Sequence, residues 1–318
     1  MRGPALSRTP FAALLCLVVA TTAWAGDLRI VAPAAPGSSW DQLAQALKAA
    51  LADERAVSKV EVVNVPGSGG TVGLAHFVAD PSDDALLVTG LTMLDATFVH
   101  RSTVGLDQLT PIARLSAEYF ALAVPAASPF RDLHELRAAA VADPGKVTWA
   151  GGPSAGIDHV AALLLARAID SDSSRVVYVP FLTSAEAALA AAEGRVSAVF
   201  VSSGELAAEV KAGRIRLLGV ASPSRIDTVD APTFAESGIT LDLANWRGVM
   251  ARPGMPPDRR ALLEGRVAGL AASAGWRELL QRKGWQNAYL PSEEFGRFLA
   301  AELERVKTAL KEVGLIKR

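Results

Sequence analysis

Gly152-Pro153-Ser154-Ala155-Gly156 fits the G-x-S-x-G pattern of a nucleophile elbow, a turn that exposes a serine hydroxyl between a strand and a helix. A hydrolase of that kind needs an acid and then a histidine later in the chain. The histidines are His76, His100, His134 and His159, so only His159 follows Ser154. It stands only five residues on, along the same predicted helix, which leaves no room for the separate elements that carry the acid and the histidine of such a hydrolase. A secreted serine hydrolase is therefore kept only as an alternative. A glycine-rich turn whose backbone N–H groups and serine hydroxyl open a helix suits anion binding better.

Two other motifs fail on spacing. Gly67-Ser68-Gly69-Gly70-Thr71-Val72-Gly73 approaches a dinucleotide loop, but Val72 occupies the place of the third glycine, and no lysine follows as a P-loop requires. His134-Glu135 opens a zinc-protease string in which Ala138 stands where the second histidine belongs. No catalytic residue, cofactor or metal is expected.

What remains is a set of donor-rich loops. Pro36-Gly37-Ser38-Ser39 follows one predicted strand, Gly67 to Thr71 a second, and Gly151 to Ser154 opens a helix. Thr183-Ser184 follows the strand that ends in Tyr178-Val179-Pro180-Phe181. Each alone would more often be a tight turn or a helix cap. Together, at the C-terminal ends of strands, they would line one cleft with N–H and O–H donors suited to a carboxylate. Thr92 and Asp95 to Thr97 are read as the end of the third strand and could add a hydroxyl contact.

The elements that must position these loops alternate between strand and helix. Strands are predicted at 28–32, 60–63 and 85–89, with helices at 39–53 and through His76 and Phe77. This rhythm predicts a parallel sheet with helices on both faces, its β-to-α loops on one edge. After Pro125 the pattern repeats, with helices at 131–142, 157–169, 184–192 and 205–212 and strands at 147–149, 176–179, 196–201 and 216–221. The tail, 257–272, 276–283 and 292–313, reads as helices packed on an existing sheet. The expected organisation is a first lobe of residues 26–124 plus 223–318 with a second lobe, 125–222, inserted. Chain crossings near Val124-Pro125 and Ser222-Pro223 would form a hinge over a cleft.

Arg2 and Arg8, the apolar run from Phe11 to Ala20 and Ala23-Trp24-Ala25 have the anatomy of a secretory signal peptide, 1–25, cut after Ala25. The run is about half the ~20 residues needed to span a bilayer, so export to the periplasm without a membrane anchor is expected. Cys16, the only cysteine of the 318 residues, lies inside it, which excludes disulfides and thiol chemistry from the mature chain. Losing Arg2 and Arg8 takes the formal net charge from −1 to −3, and a mildly acidic protein offers no footprint for nucleic acid.

Several of these segments resemble the tripartite tricarboxylate transporter substrate-binding family, the Bug receptors, over essentially the whole mature chain. Ile30 to Asp41 is similar to the family's first loop. Asn64-Val65-Pro66-Gly67-Ser68-Gly69-Gly70-Thr71-Val72-Gly73 is similar to its N-x-P-G-x-G-G-T-x-G segment, the most specific match. Gly152-Pro153-Ser154 with His159, Val179-Pro180-Phe181, Gly194-Arg195-Val196, 211–216, Ala231 to Gly238 and Trp246-Arg247-Gly248 continue in family order. The resemblance implies a type II periplasmic-binding-protein fold that captures a carboxylate through main-chain and water-mediated hydrogen bonds; a monomer is expected only as the default for a diffusing receptor. It implies delivery to membrane transporter subunits; a sensory accessory of a membrane kinase stays open as the alternative. Trp40 beside Asp41 resembles the tricarboxylate-binding branch, so citrate is the favoured ligand, while Ser38-Ser39 departs from the usual glycine run. Pro36, Gly37, Ser38, Ser39, Trp40, Asp41, Gly67, Ser68, Gly69, Gly70, Thr71, Thr92, Gly152, Ser154, His159, Thr183 and Ser184 are the expected ligand-binding residues.

Overall fold

In the computed structural model of the protein, residues 27–52, 59–80, 82, 84–312 and 314–316 are described. The expected signal peptide lies outside them. The first lobe begins as predicted. Strands β1 (Asp27–Ala32), β2 (Lys59–Asn64) and β3 (Ala85–Gly90) pair in parallel in the order β2-β1-β3. They alternate with helices α1 (Ser39–Ala52), α2 (Thr71–Ala79) and α3 (Leu91–Val99). The β3 run Ala-Leu-Leu-Val-Thr-Gly is buried at every position, as a strand covered on both faces must be.

The sheet then departs from the expected all-parallel form. Strand β4 (Thr110–Pro125) is 16 residues long and serves both lobes. Its first part, to Tyr119, pairs antiparallel with β9 (Ala244–Ala251) and with β10 (Gln286–Pro291). From Phe120 onward it pairs antiparallel with β7 (Ala198–Ser202) and β8 (Ile215–Val220). β7 in turn pairs in parallel with β5 (Thr148–Gly151), and β5 with β6 (Val177–Pro180). β9 also pairs antiparallel with β3, so both lobes hold mixed sheets. At ~3.3 Å per residue, β4 runs roughly 50 Å without interruption.

The change of partner falls between Tyr119 and Phe120. There the two crossings meet. The Phe120 N–H donates to Leu243 O (3.1 Å), the Ala221 N–H to Phe120 O (2.8 Å) and the Leu243 N–H to Ala221 O (3.0 Å). Phe200 packs under this junction, its ring centroid 5.4 Å from Phe120 and 5.7 Å from Phe234.

In the second lobe, α4 (Leu133–Ala142), α5 (Ile157–Ala168), α6 (Ser184–Ala192) and α7 (Ser203–Lys211) surround the strands. α5 lies against α3 and also against α10 (Ser292–Glu312), which together with α8 (Pro257–Ala272) and α9 (Ala274–Lys283) returns to the first lobe. Trp246 of β9 is buried beneath α10, edge-on to Phe295 and Phe298, and its indole N–H donates to Glu302 Oε2 at 3.2 Å. Among the described residues no helix is long and apolar enough to cross a membrane.

Phe200 is fully buried where both crossings converge. Phe200→Ala should cost about 3–5 kcal/mol, measured by urea unfolding. A loss below about 1 kcal/mol would mean that the junction collapses around the gap and is not tightly packed.

Candidate functional site

Each lobe ties down its own glycine loop with one aspartate. In the first lobe the loop after β1 is held by Asp41 of α1. The Gly37 N–H donates to Asp41 Oδ2 at 2.8 Å, and the Asn64 amide donates to Asp41 Oδ1 at 3.0 Å and to Ala34 O at 3.1 Å. Burial alone would raise the Asp41 pKa, but these donors and Gln45 hold it below the ordinary carboxylate value. Ser38 caps α1 by accepting the Asp41 N–H at 3.2 Å.

The loop after β2 turns through four successive residues of positive φ: Gly67 (139°), Ser68 (45°), Gly69 (61°) and Gly70 (95°). Only glycine adopts such values freely, which accounts for three of the four; Ser68 takes the left-handed conformation as the exception. Gly70 has a second requirement, since a Cβ there would stand 2.8 Å from the Trp40 ring and 3.0 Å from Met93. Thr71 donates its hydroxyl to Ser68 O at 3.0 Å and so closes the turn.

The second lobe repeats the device. Asp158 of α5 accepts the Gly152 N–H (2.8 Å) and the Ser184 hydroxyl (2.6 Å). Burial pushes the Asp158 carboxyl up, against the opposing pull of those two donors. The Tyr178 hydroxyl donates to Gly152 O at 2.9 Å. His159 Nδ1 accepts the Ala155 N–H at 3.1 Å, and the imidazole stacks on Tyr178 at 4.1 Å. Burial lowers the His159 pKa, and the nitrogen that a serine nucleophile would need is already occupied. Thr183 caps α6 by accepting the Glu186 N–H.

Between the Asp158-held turn and the face made by Gly69 and α3 lies a cleft of about 700 Å³. Its first-lobe wall is Gly69 with Thr92, Asp95, Ala96 and Val99, one stripe of α3 with His100 beyond it. Residues 92–99 are therefore helix, not the end of the third strand, and the helical stripe is what turns Asp95 toward the cleft. The opposite wall is the turn from Gly152 to Asp158, Leu182 to Ala185, and Glu205. A smaller pocket of about 150 Å³ adjoins at Thr92, lined by Ala34, Ser38, Ser39, Trp40, Asn245 and Arg247. Trp40 thus both packs on Gly70 and reaches a pocket wall.

Of the residues expected from sequence, Gly69, Thr92, Gly152, Ser154, Thr183 and Ser184 line the cleft, and Ser38, Ser39 and Trp40 line the side pocket. Pro36, Gly37, Asp41, Gly67, Ser68, Gly70, Thr71 and His159 line neither; they shape or hold the loops that do. Asp95 was read only as part of a strand end and Arg247 only as part of the Trp246-Arg247-Gly248 segment, while Glu205 and Asn245 were not singled out. Asp95 is buried with Oδ1 lacking a hydrogen-bond partner, and burial pushes its carboxyl up to about 8, which favours the protonated form. Among the described residues no group of His, Cys, Asp and Glu could hold a metal ion.

The profile of the family described as "Tripartite tricarboxylate transporter family receptor" matches residues 42–315. A Pseudomonas sp. (strain P51) relative, "UPF0065 protein in tcbD-tcbE intergenic region", is 30% identical over 293 residues, covering 90% of this chain and 85% of its own. Among solved structures, a TctC solute-binding protein from Polaromonas, without ligand, is 26% identical with a TM-score of 0.79, covering 90% of this chain and 98% of its own. MatC from Rhodopseudomonas palustris, with bound malate, has a TM-score of 0.67 at 23% identity over 90% of this chain and 99% of its own, a likeness of fold. With its profile matched from the first helix to the last and its two-lobed frame shared, this chain belongs to the tripartite tricarboxylate transporter receptor family.

Proposed function

We propose that the chain is a periplasmic receptor without catalytic activity of its own, which captures a small carboxylate between its lobes and presents it to membrane subunits of a tripartite transporter. The observation that carries this reading is the cleft itself, with the Asp158-held turn of the second lobe facing Gly69 and α3 of the first. The lobes divide, in this reading, at Tyr119–Phe120 and after Ala221, where paired backbone crossings form the hinge. Ligand contacts reaching both walls favour the closed arrangement, which the transporter would recognise. Citrate and malate are the first ligands to test. The cleft offers a carboxylate the Ser154 and Thr183 hydroxyls and the Ser154 N–H; the N–H groups of Gly152, Ala155 and Gly156 are taken by Asp158, His159 and Pro153 O. A neutral Asp95 adds an O–H donor where an ionised one would repel. His159, whose Nδ1 accepts the Ala155 N–H, supports a reading in which Ser154 binds and does not react.

A thermal-shift screen of the mature protein against small carboxylates tests the reading. At 100 times Kd a ligand that binds only the native state adds about 2.7 kcal/mol, a shift of several degrees. A selective shift without consumption of the ligand is expected. No shift with any di-, tri- or aromatic acid would overturn carboxylate capture.

Asp95 gives the pH dependence its sign. Below the ordinary value of 3.8 both folded and unfolded chains hold the proton, and the site costs nothing. Between there and about 8 only the folded chain holds it, so stability falls as pH rises and levels off above about 8. Asp95→Asn should therefore raise Tm by several degrees at pH 8 and by little at pH 4. Carboxylate affinity of the natural protein should weaken as pH passes 8 while that of the Asn variant does not. Parallel profiles for both proteins would show that Asp95 ionises normally.

A further inference from the structure

The side pocket holds a cation that the main cleft lacks. Arg247 lies on β9 and is 4% exposed. One guanidinium arm, Nη2, is paired with Glu118, and the face of the group lies over the Trp285 ring at 4.7 Å. Those contacts fix its orientation. The other arm, Nη1, is buried and has no hydrogen-bond partner. A buried charged N–H left without an acceptor is costly, and arginine presents its donors in a rigid fork that matches a carboxylate.

The surroundings select the same partner. Ser38 and Ser39, Asn245 and Thr92 share the pocket with Arg247, and Ser38 already accepts the Asp41 N–H, which leaves its own proton to donate. Trp40 forms the apolar side. At about 150 Å³ the space suits one acid group and a short carbon stem, not a whole ligand. Thr92 belongs to both cavities, so a ligand seated on the 152–156 turn can extend past it.

We propose that Arg247, with the Ser38–Trp40 loop and Asn245, forms an anion subsite that takes a second carboxylate of the captured ligand and so selects diacids over monoacids. The inference rests on the proposed carboxylate capture in the main cleft. It makes Arg247 a specificity-determining residue, with Glu118 as the group that aims it.

The test is titration calorimetry on the mature protein with malonate, succinate, glutarate and adipate, each against its own monoamide. The natural protein should bind at least one diacid about 10- to 100-fold more tightly than the corresponding monoamide, the range for a charge-assisted hydrogen bond lost. Arg247→Gln should bring that ratio close to one, and Arg247→Lys should keep a ratio between the two, since the charge stays while the fork is lost. Equal affinity of the natural protein for diacid and monoamide overturns the subsite while leaving carboxylate capture intact, and needs no folded variant. An unchanged ratio in Arg247→Gln overturns it equally. If no diacid or monoamide binds, both the subsite and carboxylate capture by this cleft are overturned together.

Discussion

Three backbone hydrogen bonds among Phe120, Ala221 and Leu243 decide what this molecule can do. They join the outgoing strand β4 to the returning chain at one place. A lobe tethered by a single strand would swivel, and its loops would meet the other lobe's loops in no fixed register. With two crossings bonded to each other, relative motion reduces largely to bending about the line they define. Because β4 passes through the junction as one continuous strand, the bend is borne by a paired element and not by a floppy linker. The Phe120, Phe200 and Phe234 rings close the space beneath it, and tightly packed apolar contacts favour a few discrete arrangements over a continuum.

With the lobes so joined, each glycine loop needs its own restraint, and the chain supplies the same one twice. Asp41 accepts the N–H of Gly37, and Asp158 accepts the N–H of Gly152. In both cases the acid lies on the helix that follows the loop and points back at it. A loop already held in its binding conformation loses little entropy when ligand arrives. This also explains how an anion can be met in a cleft with acids in its walls. Asp158 is surrounded by donors, and Asp95 holds its proton because it is buried.

Most of the frame was legible in the sequence. The strand and helix runs of both lobes stand within a few residues of their predicted places, as do the three helices of the tail, because these elements are specified by local periodicity. The first part of β4, with β9 and β10, was not. Ala244 to Ala251 carries Asn245, Arg247 and Gly248 in a strand whose partners lie more than a hundred residues away, and no local pattern announces such pairing. Missing β9 hid Arg247, and reading residues 92–97 as a strand end hid the stripe that places Asp95. Asp41, Thr71 and His159 were visible as polar residues beside glycine loops. Sequence spacing does not distinguish a side chain that satisfies the loop's own backbone from one that faces a ligand, since both uses need the same donors and acceptors within the same few residues.

Acceptors and donors are divided between loops and pockets in a way that suits reversible capture. In the proposed capture the main cleft would present hydroxyls and the Ser154 N–H, neutral donors each worth little net free energy against water. One fully charged contact, offered from β9 in the first lobe, would add selectivity without making release slow. Arg247 is held by Glu118 of β4, one residue from the point where that strand changes partners. A ligand that engages Arg247 therefore pulls on the strand that crosses between lobes, while its other end rests on the turn held by Asp158. Any ligand that grips both ends has contacts the open arrangement cannot make, and that difference alone can shift the hinge equilibrium. A monoacid confined to the main cleft grips one end, occupying the site with less leverage on closure.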